Sequence, residues 1–117
     1  MEWESSARAG RGCTVVRVSG EVDMDTAPAL HDFLEAAVGA GAQQVVLDCE
    51  ELTFLDSSGL GVLLVWFKEL RDRGGRLSLA AVRPPVDYVL QVAAVDRVLD
   101  VYESVDAAEA GMPPAGF

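Results

Sequence analysis

Hydrophobic and polar positions change period several times along the chain, and each change marks an element. Residues 13–19, CTVVRVS, are rich in β-branched side chains and run up to Gly20, which predicts a strand. Residues Trp3 to Ala7 are its candidate hairpin partner across a turn-prone Arg8 to Gly12. Apolar positions then fall at 27, 30, 34, 37 and 38, a helical spacing. That helix is opened by Asp25-Thr26-Ala27-Pro28, which offers an N-cap candidate and a proline in the first turn, with Gly39 and Gly41 as its stop. The run QVVLDCE, 44–50, is almost continuously apolar, the pattern of a strand covered on both faces. A second helix starts near Ser57, with an inward stripe of Leu60, Leu63, Leu64, Phe67 and Leu70, and ends at Gly74 and Gly75.

Residues 76–82, RLSLAAV, predict another strand, and Pro84 and Pro85 open a short helix to about Val92. VLDVY, 98–102, predicts an edge strand, and Ser104 can cap a last helix over 105–110. Helices between successive strands imply an α/β fold: a mixed, largely parallel sheet of four to five strands with about four helices packed against it. The pattern predicts one domain over 1–110 and a flexible C-terminal tail over 111–117. Sites in such folds gather where strands lead into helices. Two loops qualify here, GEVDMDT at 20–26 and ELTFLDSS at 51–58.

Composition narrows the partners. Nineteen acids against nine bases give a formal charge of -10, which opposes phosphodiester backbones and anionic bilayers. Neither nucleic acid nor membrane is expected as a partner. The charge serves solubility or steers the chain toward a basic patch on another protein. No run approaches the length of a membrane span, and MEWESSARAGRG lacks the apolar stretch of a signal peptide. Cys13 and Cys49 sit in apolar runs and are expected as buried free thiols in a reducing cytoplasm, with a disulfide as the alternative.

The stretch LDSSGLGVLL, 55–64, carries the sharpest candidate chemistry. Backbone N–H groups at a helix start lack internal partners and sit in positive potential. One side chain among Asp56, Ser57 and Ser58 suffices as a cap, worth about 1 kcal/mol. The surplus hydroxyl can be phosphorylated, and the added dianion could be held by the same N–H groups while repelling an acidic or close-packed partner. Gly59 and Gly61 each cost about 1 kcal/mol inside a helix, so they imply close approach, either by a partner or by the helix's own sheet. Ser58, Val62, Val65 and Glu69 share a line opposite the buried stripe. The two valines then form a partner surface or a face covered by the 85–92 helix.

Enzyme chemistry finds few residues. His31 is the only histidine and is expected as a solvated helix residue away from the loops, and no Gly-x-Ser-x-Gly elbow is present. One histidine and two cysteines 36 positions apart give no metal cluster, and Asp23 with Asp25 is a weak pair. No Gly-x-x-x-x-Gly-Lys-Ser/Thr loop is present, so a nucleotide hydrolase is not expected. No cofactor is implied.

Four blocks together resemble the STAS domains, and among them the bacterial anti-sigma factor antagonists: VVRVSGEVDMDTAPAL at 15–30, VVLDCEELTFLDSSGLGVLL at 45–64, GGRLSLAAVRPPVDYVL at 74–90 and DRVLDVYESVDAA at 96–108. The resemblance implies a STAS fold. Its unmodified form would bind an anti-sigma factor that is also a serine kinase, freeing a sigma factor for transcription. That kinase would phosphorylate the serine after the aspartate, Ser57 here, and a PP2C-type phosphatase would reverse it. Asp56, Ser58 and Gly59 match the surrounding pattern, and Asp23 matches the acidic position of the first loop. With Val62 and Val65 these form the implied contact surface. One departure is VAAVDRV at 92–98, where relatives often carry a glycine-containing step. The rival reading is a STAS sensor or scaffold module, one that could bind a nucleotide, without a kinase cycle. A free-standing chain favours the adaptor role.

Overall fold

The computed structural model describes residues 3–112. Strands β1 (Trp3–Gly10) and β2 (Cys13–Val22) form an antiparallel hairpin whose turn is only Arg11 and Gly12. The turn is thus shorter than the expected Arg8 to Gly12, because Gly12 takes φ 70° and reverses the chain in two residues. Strand β2 also runs past Gly20. That glycine, at φ 92°, marks a register shift rather than an end.

Helix α1 (Ala27–Gly39) is followed by β3 (Gln44–Asp48), β4 (Leu52–Leu55), α2 (Ser57–Asp72) and β5 (Arg76–Ala80). Next come α3 (Pro84–Val92), a 3-10 turn at Val95–Arg97, β6 (Asp100–Tyr102) and α4 (Val105–Ala110). Among the described residues the sheet has six strands, in the order β1-β2-β3-β5-β6, with β4 also on β2. Every pairing except β1 with β2 is parallel. The sixth strand, β4, lies in the segment expected to be a loop. It exists because the Gly20/Glu21 shift lets β2 leave β3, which pairs with residues 14–17, and take Leu52, Phe54 and Leu55 as partners for Gly20, Glu21 and Val22.

Helices α1, α2 and α3 cover one face, where Val16, Val18, Leu34, Leu47, Leu63 and Leu79 belong to one core. On the other face α4 sets Ala108 against Val15, Val46 and Ala80. The buried line of α2 is Leu60, Leu63, Trp66 and Leu70, with Gly59 at its start. Leu64 and Phe67, expected inside, are half-buried flanks of that line. Ser104 caps α4 as expected, its Oγ accepting from Ala107 N at 3.0 Å. Two residues of the expected tail are tied down: Gly111 and Met112 donate backbone hydrogen bonds to the end of α4, and Met112 packs beside Ala108. Residues 113–117 lie outside the described residues.

Candidate functional site

The ends of β2 and β4 set the site. Val22 and Leu55 are paired across the two strands, so the residues that follow them, Asp23 and Asp56, leave the sheet side by side. A backbone hydrogen bond from Asp56 N to Val22 O, 3.2 Å, fixes the start of α2 to the end of β2.

Asp56 is the N-cap of α2. One oxygen, Oδ1, accepts from Ser58 N at 2.9 Å and from Gly59 N at 3.1 Å. The cap is therefore a carboxylate, and neither serine hydroxyl is needed for it. Ser57 is exposed and Ser58 half-buried. Among the described residues neither Oγ makes a hydrogen bond. This arrangement changes the expected fate of a phosphate on Ser57. The N–H groups of Ser58 and Gly59 are already occupied by Asp56, so an added dianion would stand beside a carboxylate instead of being neutralised by them.

Gly59 is buried against the sheet. A Cβ built there would lie 2.5 Å from Leu55 Cδ1 and 2.7 Å from Val22 Cγ1, closer than real side chains approach. Its missing side chain is explained by packing within the chain. Gly61 is exposed with open space around it, so it alone keeps the room for a visitor.

The first loop is locked by its own polar groups. Asp23 Oδ1 accepts from Asp25 N at 2.9 Å, Thr26 N at 3.1 Å and Thr26 Oγ1 at 3.2 Å. The single proton of the Thr26 hydroxyl is shared between that contact and the shorter one to Glu21 O at 2.9 Å, and its oxygen accepts from Asp23 N at 2.9 Å. The Thr26 N–H, aided by that of Asp25 and by the Thr26 hydroxyl, holds the Asp23 carboxyl below its ordinary range. Within the Asp25-Thr26 pair expected to open α1, Thr26 is the N-cap residue, with no side-chain cap bond of its own. Asp23 supplies the acceptor two and three residues earlier, the usual Asx geometry.

Val62 and Val65 part company. Val62 is half-buried and packed on the core, whereas Val65 is 53% exposed. The helix packed on α2 is α1, and the groove between them is lined by residues that include Val65, Trp66 and His31. Met24, on the first loop beside Asp23, and Phe54, in β4 two residues before Asp56, are apolar and exposed. Neither was expected as a site residue. No alternation marks Phe54: along β4 Leu52 and Leu55 are buried while Thr53 and Phe54 are both exposed.

His31 is half-buried, a departure from the solvated residue expected. Its Nδ1 accepts from Trp66 Nε1 at 2.9 Å, with the rings 5.4 Å apart. Asp32 and Glu35 bring carboxylates near it. With Nδ1 accepting, Nε2 of the neutral ring carries the proton and has no lone pair to offer a metal. Cys49 is buried, and that burial, helped by Asp48, pushes its thiol up to about 12. Cys13 is only half-buried, but burial and Glu109 raise it too. Both are free, and neither is an activated nucleophile.

A family model described as "Mlab, STAS domain" matches residues 5–101. Over 95 residues the chain is 33% identical to the anti-sigma F factor antagonist of Paenibacillus polymyxa, covering 80% of this chain and 81% of that protein. The chain belongs to the STAS-domain anti-sigma factor antagonist family. The crystal structure of an anti-sigma factor antagonist from Mycobacterium paratuberculosis matches with a TM-score of 0.87 and 28% identity, over 95% of this chain and 94% of that one. The anti-sigma factor antagonist SpoIIAA in its unphosphorylated form matches with a TM-score of 0.75 and 25% identity, over 93% and 95%. Anti-sigma factor antagonists are non-enzymatic regulators, and their counterpart is an anti-sigma factor. Among the described residues of this antagonist, no helix is long and apolar enough to cross a membrane.

Proposed function

We propose that this antagonist, unphosphorylated and in the cytoplasm, binds an anti-sigma factor that is also a serine kinase and so frees a sigma factor for transcription. Phosphorylation of Ser57 ends the contact, and a PP2C-type phosphatase restores it. The observation that carries the reading is the division of labour at the start of α2. Asp56 alone makes the cap, which leaves an exposed Ser57 hydroxyl free beside the Asp56 carboxylate, with the Asp23 loop leaving the sheet alongside. Kinase access costs no structural bond. The added charge, about -1.5 to -2, stands next to Asp56 and Asp23, where it repels acids and must be desolvated in any close interface. Asp23, Asp56, Ser58 and Val65 form the contact surface, with Met24 and Phe54 as its apolar part. Gly59 and Val62 support it from beneath.

The test is chemical. Incubating the antagonist with ATP and the anti-sigma factor kinase recovered from its own cells should add one phosphate, mapped by peptide mass spectrometry to Ser57. No addition, or a phosphate elsewhere, counts against the switch and favours a scaffold module without a kinase cycle.

A further inference from the structure

The two edges of the sheet are guarded differently. The β6 edge is three residues long and begins with the charged Asp100. The β1 edge is eight residues long, and its register with β2 runs unbroken from Trp3↔Gly20 to Gly10↔Cys13. It carries no proline and no bulge, two of the devices that stop an exposed edge from pairing with another chain; its protection rests on charge alone. Its only charges are Glu4 and Arg8, placed two residues either side of Ser6.

That spacing is self-complementary. Side chains alternate along a strand, so Glu4, Ser6 and Arg8 share one face. All three are exposed, and among the described residues Glu4 and Arg8 make no ion pair. If a second β1 lies antiparallel with Ser6 opposite Ser6, Glu4 faces Arg8 of the second copy and Arg8 faces Glu4 of the second copy. Directly opposed side chains have Cβ atoms about 4.5–5.5 Å apart, within reach of an ion pair. The pairing is isologous, so the two-fold axis satisfies both pairs at once.

Net charge agrees. At -10, two copies repel over most of their surface. The hairpin 3–22 is the exception, with Arg8, Arg11 and Arg17 against Glu4 and Glu21.

We propose that β1 is the docking edge for a second copy of this chain, antiparallel and centred on Ser6, held in register by two Glu4–Arg8 pairs. The dimer joins two sheets into one. It leaves both Ser57 sites open, because β4 and α2 lie on the far side of β2 from β1. The inference does not depend on the Ser57 reading.

Charge exchange tests it, read by analytical ultracentrifugation across micromolar to millimolar concentrations, with circular dichroism to confirm folding. Wild type should show a concentration-dependent dimer. Glu4→Arg alone and Arg8→Glu alone each place like charges opposite one another and should raise the dimer Kd by about tenfold or more. The double variant, and the mixture of the two single variants, should recover pairing. A wild type that stays monomeric into the millimolar range, or a dimer indifferent to both single reversals, overturns the proposal.

Discussion

Asp56 Oδ1 takes the N–H groups of both Ser58 and Gly59, and this double use of one oxygen is what frees Ser57. From the sequence, the excess of polar side chains at the helix start was visible, but which of three would cap was open. The answer depends on where β4 delivers the chain, since the extended backbone at Asp56 aims its carboxylate at the next turn. Asp23 is the second residue whose role is geometric. Its folded-state carboxyl lies below the ordinary value of 3.8, so its contribution to stability is present above that pH and is lost as pH falls through the lower folded value. Urea denaturation followed from about pH 5 to about pH 2 should therefore show a loss of stability below pH 3.8 that is shallower in Asp23→Asn. The amide keeps an acceptor for Asp25 and Thr26 but does not titrate there. Equal slopes in the two proteins would remove Asp23 from the acid response.

At the scale of elements, the helices were legible because their stripes are long and their punctuation strong. Pro84 and Ser104 open α3 and α4 where their chemistry requires. β4 was not legible: four residues between Glu51 and Asp56 look like a loop unless the Gly20/Glu21 shift, a tertiary event, is known. The α2 stripe was read rightly at Leu60, Leu63 and Leu70 but missed Trp66. Trp66 is buried with its N–H donated to His31 of α1, a contact between helices that no single helix pattern contains. The VAAVDRV departure also resolves at this scale: Ala94 adopts φ 59° and ψ 21°, the left-handed geometry that a glycine takes freely. Two single substitutions should then move stability in opposite directions. Gly59→Ala, driven into Leu55 and Val22, should cost about 1–3 kcal/mol. Ala94→Gly should gain about 0.5–1 kcal/mol by relieving the left-handed alanine. Urea midpoints measure both, and a destabilising Ala94→Gly would show that the turn is not strained.

For the whole molecule, the alternation of strands and helices was enough to place helices against a largely parallel sheet and to point at the strand-to-helix loops. What the pattern lacked was the pairing that brings those loops together. Val22 against Leu55 turns two separate acidic loops into one surface, with Met24 and Phe54 exposed around it. The proposed switch belongs to that surface as a unit: the fold beneath is unchanged, and one added dianion decides whether a partner can stay. The direct measurement is the affinity of Ser57→Ala and Ser57→Asp for the recovered anti-sigma factor kinase, by isothermal titration calorimetry on proteins shown to melt alike. Ser57→Ala should bind as tightly as the unphosphorylated wild type and Ser57→Asp at least about tenfold more weakly. Equal affinities for the two variants would contradict the switch.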